Sequence, residues 1–317
     1  MRISIIISVF NCLDLTKKCL ETLDKTLPED LDHELILIDD GSSDGSRGFL
    51  KEFGKQREHC NVIANEQNLG FARSNNRGVE FSSGSYLLFL NNDTELTGGW
   101  IEPMIDGFDK LKSKNPGMIG NIQRRPSDEK IDHAGVYVNR EGKPDHLQID
   151  PAIEFPRKRY SERLATTGAC FMIPRELYLK VGGFGTEFQN GGEDMDLNFK
   201  VRKTGHRIFV ANKSCIWHHV SASPGRNDHH ERNTRKVFQK WREFLLEEGA
   251  KQWMRDYLIA DDTPKNYFTN SLYRRGLAFE KGWSSKIPQE AIDAVDSKIK
   301  EQETIWEQMF ESESMES

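Results

Sequence analysis

The chain has 317 residues, 36% of them hydrophobic and 30% charged, which leaves room for one large domain with or without an appendage and excludes collagenous, disulfide-scaffold and disordered classes. Forty-four basic against fifty acidic residues give a formal charge of −6, so no field gathers nucleic acid and a polynucleotide partner is not expected. No run approaches the roughly 18 to 20 apolar residues that span a bilayer, and the opening Met1-Arg2-Ile3-Ser4-Ile5-Ile6-Ile7 reads straight into a strand. The expected location is cytoplasmic, either free or peripheral to the inner face of the membrane.

Residues 3–10 form an almost unbroken β-branched run. Residues 34–38 (ELILI) and 86–90 (YLLFL) are two more, all without the alternation of a half-wet sheet. These predict central strands of a covered, mostly parallel sheet. Between the first two, residues 14–25 place Leu15, Cys19, Leu20 and Leu23 on one helical face, and residues 45–53 give a second helix, so the order is a βαβ start. In such sheets ligands collect beyond the carboxyl ends of the strands. Every such end is polar here: Asn11, then Asp39-Asp40-Gly41-Ser42-Ser43-Asp44-Gly45, then Asn91-Asn92-Asp93.

An irregular stretch over residues 123–163, with Pro126, Pro144, Pro151 and Pro156, suits a loop region laid over that crevice and is where acceptor selectivity is expected. Residues 168–173 (GACFMI) then read as a strand, 193–203 as a helix, and 207–210 and 214–218 as two short strands. From about 234 the pattern turns helical through Val237, Phe238, Trp241, Phe244 and Leu245. A last helix runs from Pro288 through Ile292, Val295, Ile299, Trp306 and Phe310. Residues 285–317 hold nine acids and three lysines, a balance of −6, so the remainder is formally neutral and the tail reads as a separate unit. Its acidity argues against an anionic lipid surface and favours packing within the chain, against a second copy in a homodimer, or against a partner glycosyltransferase. The five cysteines, Cys12, Cys19, Cys60, Cys170 and Cys215, are odd in number and lack a C-x-x-C pair, so reduced thiols are expected rather than a disulfide framework or zinc site.

Five segments stand in one order: SVFN (8–11), LIDDGSSDGS (37–46), NEQNLGFARSNNRG (65–78), FLNNDTEL (89–96) and GGFGTEFQNGGEDMDLNFKVRKTGHRI (182–208). In this the chain resembles an inverting family 2 glycosyltransferase of the GT-A fold, similar to rhamnosyl- and galactofuranosyl-transferase-like members. The likeness covers about residues 1–245, read as the transferase domain, and leaves 246–317 as a helical C-terminal extension. It implies a hexosyl- or deoxyhexosyl-transferase that takes a UDP- or dTDP-sugar and adds the sugar, with inversion, to a glycan or lipid-linked glycan in surface polysaccharide assembly.

The resemblance gives Val9, Asn11, Asp40, Gly70, Asn91 and Asn92 to the donor. A carboxylate at a strand end can accept the imide N–H of uracil or thymine, the role it implies for Asp40, although either aspartate of the pair, or Asp44, can equally cap the helix near Gly45. Asn91-Asn92-Asp93 stands where the family carries its D-x-D type motif, and only the last position is acidic. Asp93 is the implied ligand of Mn²⁺ or Mg²⁺, because diphosphate oxygens and water fill most of the shell. His218 aligns with the family's late histidine as the second ligand, with His219 as its neighbour, while Asp228-His229-His230 reads as a solvated loop. In Gly191-Gly192-Glu193-Asp194-Met195-Asp196 the acids open a helix at its positive dipole end, which favours a carboxylate. The resemblance makes Asp194 the base and Glu193 an acceptor-orienting residue, with Asp196 as a first-turn stabiliser. Trp100, Phe184 and Phe188 offer rings either for stacking on sugar or for the core. Two other classes stay open: a non-catalytic glycosyltransferase-like subunit, and a nucleotidyltransferase, whose glycine-rich basic loop SVFNCLDL lacks.

Overall fold

The computed structural model describes residues 1–148, 158–219 and 230–315. The elements in chain order are β1 (Ile3–Val9), α1 (Leu13–Thr26), β2 (His33–Asp39), α2 (Ser46–Lys55), β3 (Cys60–Ala64), α3 (Phe71–Glu80), β4 (Tyr86–Leu90) and β5 (Thr94–Leu96). Next come α4 (Glu102–Lys110), β6 (Pro116–Arg124), β7 (Ile131–His133), β8 (Val136–Val138), β9 (Pro144–His146), β10 (Tyr160–Arg163), β11 (Cys170–Pro174), α5 (Arg175–Lys180) and α6 (Glu193–Lys203). The chain ends with β12 (Arg207–His218), α7 (His230–Ile259), α8 (Ser271–Glu280) and α9 (Gln289–Met315).

These fall into two compact units, Met1–Val136 with His146–Asn233, and Tyr137–Asp145 with the chain from Thr234 onward. In the first unit one mixed sheet runs β10-β12-β6-β11-β4-β1-β2-β3, with β5 on β12 and β7 on β6. Four of the seven pairings along that path are parallel, including the whole run from β4 to β3. The β-branched run of β1 explains its central place. Ile3, Ile5, Ile7 and Val9 face one core with Leu20, Leu23, Trp100 and Met104, while Ile6 faces the other with Phe89, Ala72, Phe184 and Val201. Covered on both faces, each such isoleucine contributes about 1.5–3 kcal/mol by burial.

Two expectations change at this level. The strands expected over 207–210 and 214–218 are one strand, β12, whose pairing with β6 breaks register between Ala211 and Cys215, so the polar Asn212-Lys213-Ser214 is a bulge rather than a turn. The stretch 123–163 is not simply loop: its described part supplies β7, β8, β9 and β10. Pro151, Pro156 and residues 220–223, with the Asp228-His229-His230 side chains, lie outside the described residues.

The helical unit has its own core. Phe238, Leu245 and Met254 of α7 and Val295, Ile299 and Trp306 of α9 are buried, with the Phe238 and Trp306 ring centroids 5.0 Å apart. A Cβ on Gly249 would stand 2.9 Å from Val295, which shows how closely α7 and α9 approach. The expected tail stripe therefore folds on itself. The Tyr137–Asp145 hairpin lies against the same α9, since a Cβ at Gly142 would meet Ile299 at 2.9 Å. Cys19 and Cys170 are buried and Cys12, Cys60 and Cys215 half-buried, all as free thiols. Burial pushes Cys19 up to about 12 and Cys60 to about 11, so neither is reactive near neutrality.

Candidate active site

The carboxyl ends of β1, β2 and β4 open into a cleft of about 970 Å³, part of it open to solvent. Val9, Asp40, Gly70, Asn91, Asn92, Asp93, Glu193 and Asp194, all expected from sequence, line it together. Four of these are carboxylates, and no lysine or arginine stands among the described lining residues. Burial and charge are thus concentrated where the sheet turns from parallel to antiparallel at β4, next to β11.

Asp40 is buried and fixed. Its Oδ1 accepts Asn65 Nδ2 and Leu69 N, each at 2.8 Å, and its Oδ2 accepts Gly70 N at 3.0 Å, leaving acceptor capacity on Oδ2. Gly70 adopts φ 84° there, and Gly41, at φ 79°, has no room for a side chain, since a Cβ would stand 2.6 Å from Asn68 N. The other aspartates of this loop are structural. Asp39 Oδ2 accepts Arg47 Nε at 2.7 Å. Asp44 caps two helices, accepting Ser46 N at 3.1 Å and Leu13 N at 2.8 Å. Partial burial opposes its charge, yet the Ser46 hydroxyl at 2.6 Å, with the Leu13 and Ser46 amides, holds its carboxyl below the usual range.

After β4, Asn92 Nδ2 donates to Asn11 O at 3.3 Å and Thr16 Oγ1 at 2.9 Å, and Asn11 Oδ1 accepts Ser43 N at 2.8 Å. Asn11 thereby braces two loops from the left-handed region, at φ 57°, and is not among the residues lining the cleft. The short strand β5 pairs with the end of β12 so that Thr94 faces His218. That register brings His218 Nε2 within 3.3 Å of Asp93 Oδ1, both residues buried. The approach is close but not aligned as a hydrogen bond, and Nε2 has no hydrogen-bond partner among the described residues. His219 is directed elsewhere, its Nε2 2.8 Å from Glu95 Oε1.

Among the described residues no three histidine, cysteine or carboxylate side chains gather as a metal cage. Asp93 and His218 nonetheless fit a divalent cation, because two adjacent ligands about 2.1 Å from an octahedral ion stand about 3.0 Å apart, with substrate oxygens and water left to fill the shell.

The third wall is the start of α6. Gly192 precedes it in the left-handed region, and Glu193 Oε2 accepts Gly191 N at 2.7 Å. Asp194 accepts Gly168 N at 3.1 Å on Oδ2 and Met195 N at 2.8 Å on Oδ1, so its carboxylate is held at the cleft edge. Asp196 points inward to Lys200 Nζ at 2.7 Å.

Trp100 corrects an expectation: it is fully buried, donates to Thr26 Oγ1 at 3.1 Å, and packs in the core where no acceptor reaches. Phe184 is likewise core, ringed by Phe71, Phe89, Phe171 and Tyr178, and Phe188 is also buried. Sequence reasoning missed Thr167, Gly168 and their supports. Asn198 accepts Thr166 N at 2.9 Å and donates to Asp194 O at 2.7 Å, tying the cleft wall to α6. His133 Nε2 accepts Thr167 N at 3.3 Å and its Nδ1 lies 3.2 Å from His146 Nδ1, which assigns the proton to Nδ1. Burial, with His146 nearby, holds His133 well below its usual range. The signal available was the polar Thr166-Thr167-Gly168 leading into a buried strand.

The carboxyl ends of the parallel strands are where α/β sheets bind ligands, and the fold is GT-A. The family described as Glycosyl transferase family 2 matches residues 4–182, and the chain belongs to it. It is similar to the O-antigen biosynthesis protein RfbC of Myxococcus xanthus, 30% identical over 156 residues that cover 47% of this chain and 12% of RfbC. Among solved structures it is similar to GalNAc-T7 with UDP, GalNAc and Mn²⁺, at TM-score 0.60 and 15% identity over 88% of this chain and 54% of that one. The mannosyltransferase PcManGT of Pyrobaculum calidifontis, in complex with GDP-Man and Mn²⁺, aligns at TM-score 0.56 and 14% identity over 95% of this chain and 86% of that one. The chain spans between 12% and 41% of the length of the first curated relatives it matches.

Proposed function

We propose that the chain is an inverting glycosyltransferase that moves a hexosyl or deoxyhexosyl group from a UDP- or dTDP-sugar to a hydroxyl of a glycan or lipid-linked glycan, in cytoplasmic assembly of a surface polysaccharide. The transfer chemistry is assigned to residues 1–245, and the extension 246–317 has no chemical part in it. The observation that carries the reading is the convergence of Asp40, Asp93, Glu193 and Asp194 on one cleft whose described lining holds no lysine or arginine. These carboxylates crowd an opening at the carboxyl ends of the parallel strands, where α/β sheets bind their ligands.

Asp40 accepts the imide N–H of the base with its remaining Oδ2 capacity, and the Leu69-Gly70 backbone it holds closes on the nucleoside. Asn91 and Asn92 bound the sugar-phosphate side. Asp93 and His218 would hold Mn²⁺ or Mg²⁺, which offsets charge on the leaving diphosphate. Asp194 takes the proton of the acceptor hydroxyl as its oxygen bonds to the anomeric carbon. The bond from that carbon to the diphosphate breaks on the opposite face, its electron pair leaves with the nucleotide, and the centre inverts in one displacement. Glu193 orients the acceptor beside it.

A panel of UDP- and dTDP-sugars with and without Mn²⁺, read by thermal shift and donor hydrolysis, tests this. The expected result is metal-dependent stabilisation by one nucleotide series and slow hydrolysis of one sugar. Silence from the folded protein across the panel would sink it in favour of a non-catalytic subunit.

A further inference from the structure

The helical unit carries a surface that the transfer reaction leaves unused. Residues 263–288 hold five basic residues, Lys265, Arg274, Arg275, Lys281 and Lys286, against one acid, Glu280, a net +4 inside a tail that is acidic as a whole. Arg275 is matched by Glu290 at 2.5 Å, and Glu280 by Arg255 at 3.5 Å. Lys265, Arg274, Lys281 and Lys286 form no ion pair with any described residue, and the two nearest unmatched acids, Asp261 and Asp262, stand before Lys265. The acids read from sequence as unfavourable to lipid lie mainly on α9, where Asp296, Glu301 and Glu303 pair with Arg242, Lys298 and Lys300.

The same segment exposes two large aromatic rings. Phe268 is 89% exposed and Trp283 74%, with Tyr267 packed edge-on to Phe268 at 5.7 Å. Phe268 lies just before Asn270, which caps the first turn of α8 by accepting Tyr273 N at 3.0 Å, and Trp283 lies just after the helix ends. Ten helical residues, about 15 Å of helix, stand between these two positions. Arg274 and Lys281, seven residues apart and exposed, share one side of the span between them.

Aromatic anchors flanking a row of unmatched cations are the chemistry of a surface that lies on a membrane. Rings settle at the headgroup boundary while lysine and arginine meet lipid phosphates. A second copy would bring +4 against +4 in a two-fold contact, which opposes self-association through this face. We propose that the α8 surface docks this protein on an anionic phospholipid bilayer, with Phe268 and Trp283 as anchors and Lys265, Arg274, Lys281 and Lys286 on the phosphates. The inference does not depend on the transfer chemistry, and its test reads lipid binding alone.

The full chain is floated with vesicles of phosphatidylcholine alone or mixed with phosphatidylglycerol. Binding is expected to the mixed vesicles only, with release at high salt. Phe268→Ser with Trp283→Ser, and separately Lys265→Glu with Lys281→Glu, are expected to weaken it at least about tenfold. All four positions are exposed, so the variants keep the wild-type melting temperature and donor hydrolysis. The proposal is overturned if the wild type ignores phosphatidylglycerol or if both double variants bind as it does. It is equally overturned if the wild type proves to be a dimer that the Trp283→Ser change dissociates.

Discussion

The two units use acidic side chains in opposite ways. In the helical unit carboxylates answer cations: Asp296 and Glu303 flank Arg242 at 2.8 and 3.0 Å, and Lys300 adds a second hold on Asp296. Hydrogen bonds from Lys300 and Arg242 lower the Asp296 carboxyl, and bonds from Asp296 and Glu303 raise the Arg242 guanidinium. In the sheet unit Asp40, Asp93, Glu193 and Asp194 crowd one cleft, where backbone amides and Asn65 hold Asp40, Gly191 N holds Glu193, and His218 stands beside Asp93. Matched charge is architecture, whereas like charge gathered in a cleft is a cost that ligand binding offsets.

The contrast is sharpest at Asp194. Asp194→Asn keeps the hydrogen-bonding shape and removes the proton acceptor. Turnover should fall about 10²–10⁴-fold, while nucleotide affinity in a titration stays within about twofold. Retained turnover would place the base elsewhere. Next in size is the pair of neighbouring histidines. His218→Ala should cost at least the roughly 10–100-fold in metal-stimulated activity that loss of an outer-sphere partner costs, and His219→Ala, which faces Glu95, should change it little. Equal losses would break the distinction the geometry draws.

A third test concerns the wall of the cleft. The folded His133 stays neutral below pH 6.5 while the unfolded chain takes up a proton, so its contribution to stability is present above that value and lost as pH falls. The unfolding free energy, followed by denaturant titration, should decline on acidification by up to about 1.4 kcal/mol per pH unit, with a shallower slope in His133→Gln. The smallest effect belongs to the matched charges. Arg242→Ala should cost about 1 kcal/mol or less, with nucleotide binding unchanged, because a half-exposed pair is screened by water. A large loss of nucleotide affinity in that variant would dissolve the separation between the two kinds of acid.

Much of the sheet unit was legible because strand burial writes itself as β-branched runs and strand ends as polar breaks. Residues 3–10, 34–38 and 86–90 became β1, β2 and β4 almost residue for residue. What stayed hidden depends on contacts distant in sequence. Trp100 follows two glycines and reads as a loop residue, yet Thr26, 74 positions away, supplies the hydrogen bond that makes its burial acceptable. Thr167, Gly168 and Asn198 carry no motif, since each acts through backbone amides. Helix α8 escaped because Arg274-Arg275-Gly276 interrupts its apolar spacing, and the buried Gly276 leaves room for the end of the Met254 side chain. The single strand β12 was divided in two by a bulge whose residues are polar.

The meeting of Asp93 with His218 also has a timing. The second residue follows the first by about 125 positions, and a ribosome adding about 5–20 residues per second needs on the order of 10 s to supply it. Until β12 has emerged and paired with β5, the nascent chain holds an aspartate without its histidine. The two atoms 3.3 Å apart are therefore a late product of synthesis, and a chain in which they meet has already laid down the rest of its sheet.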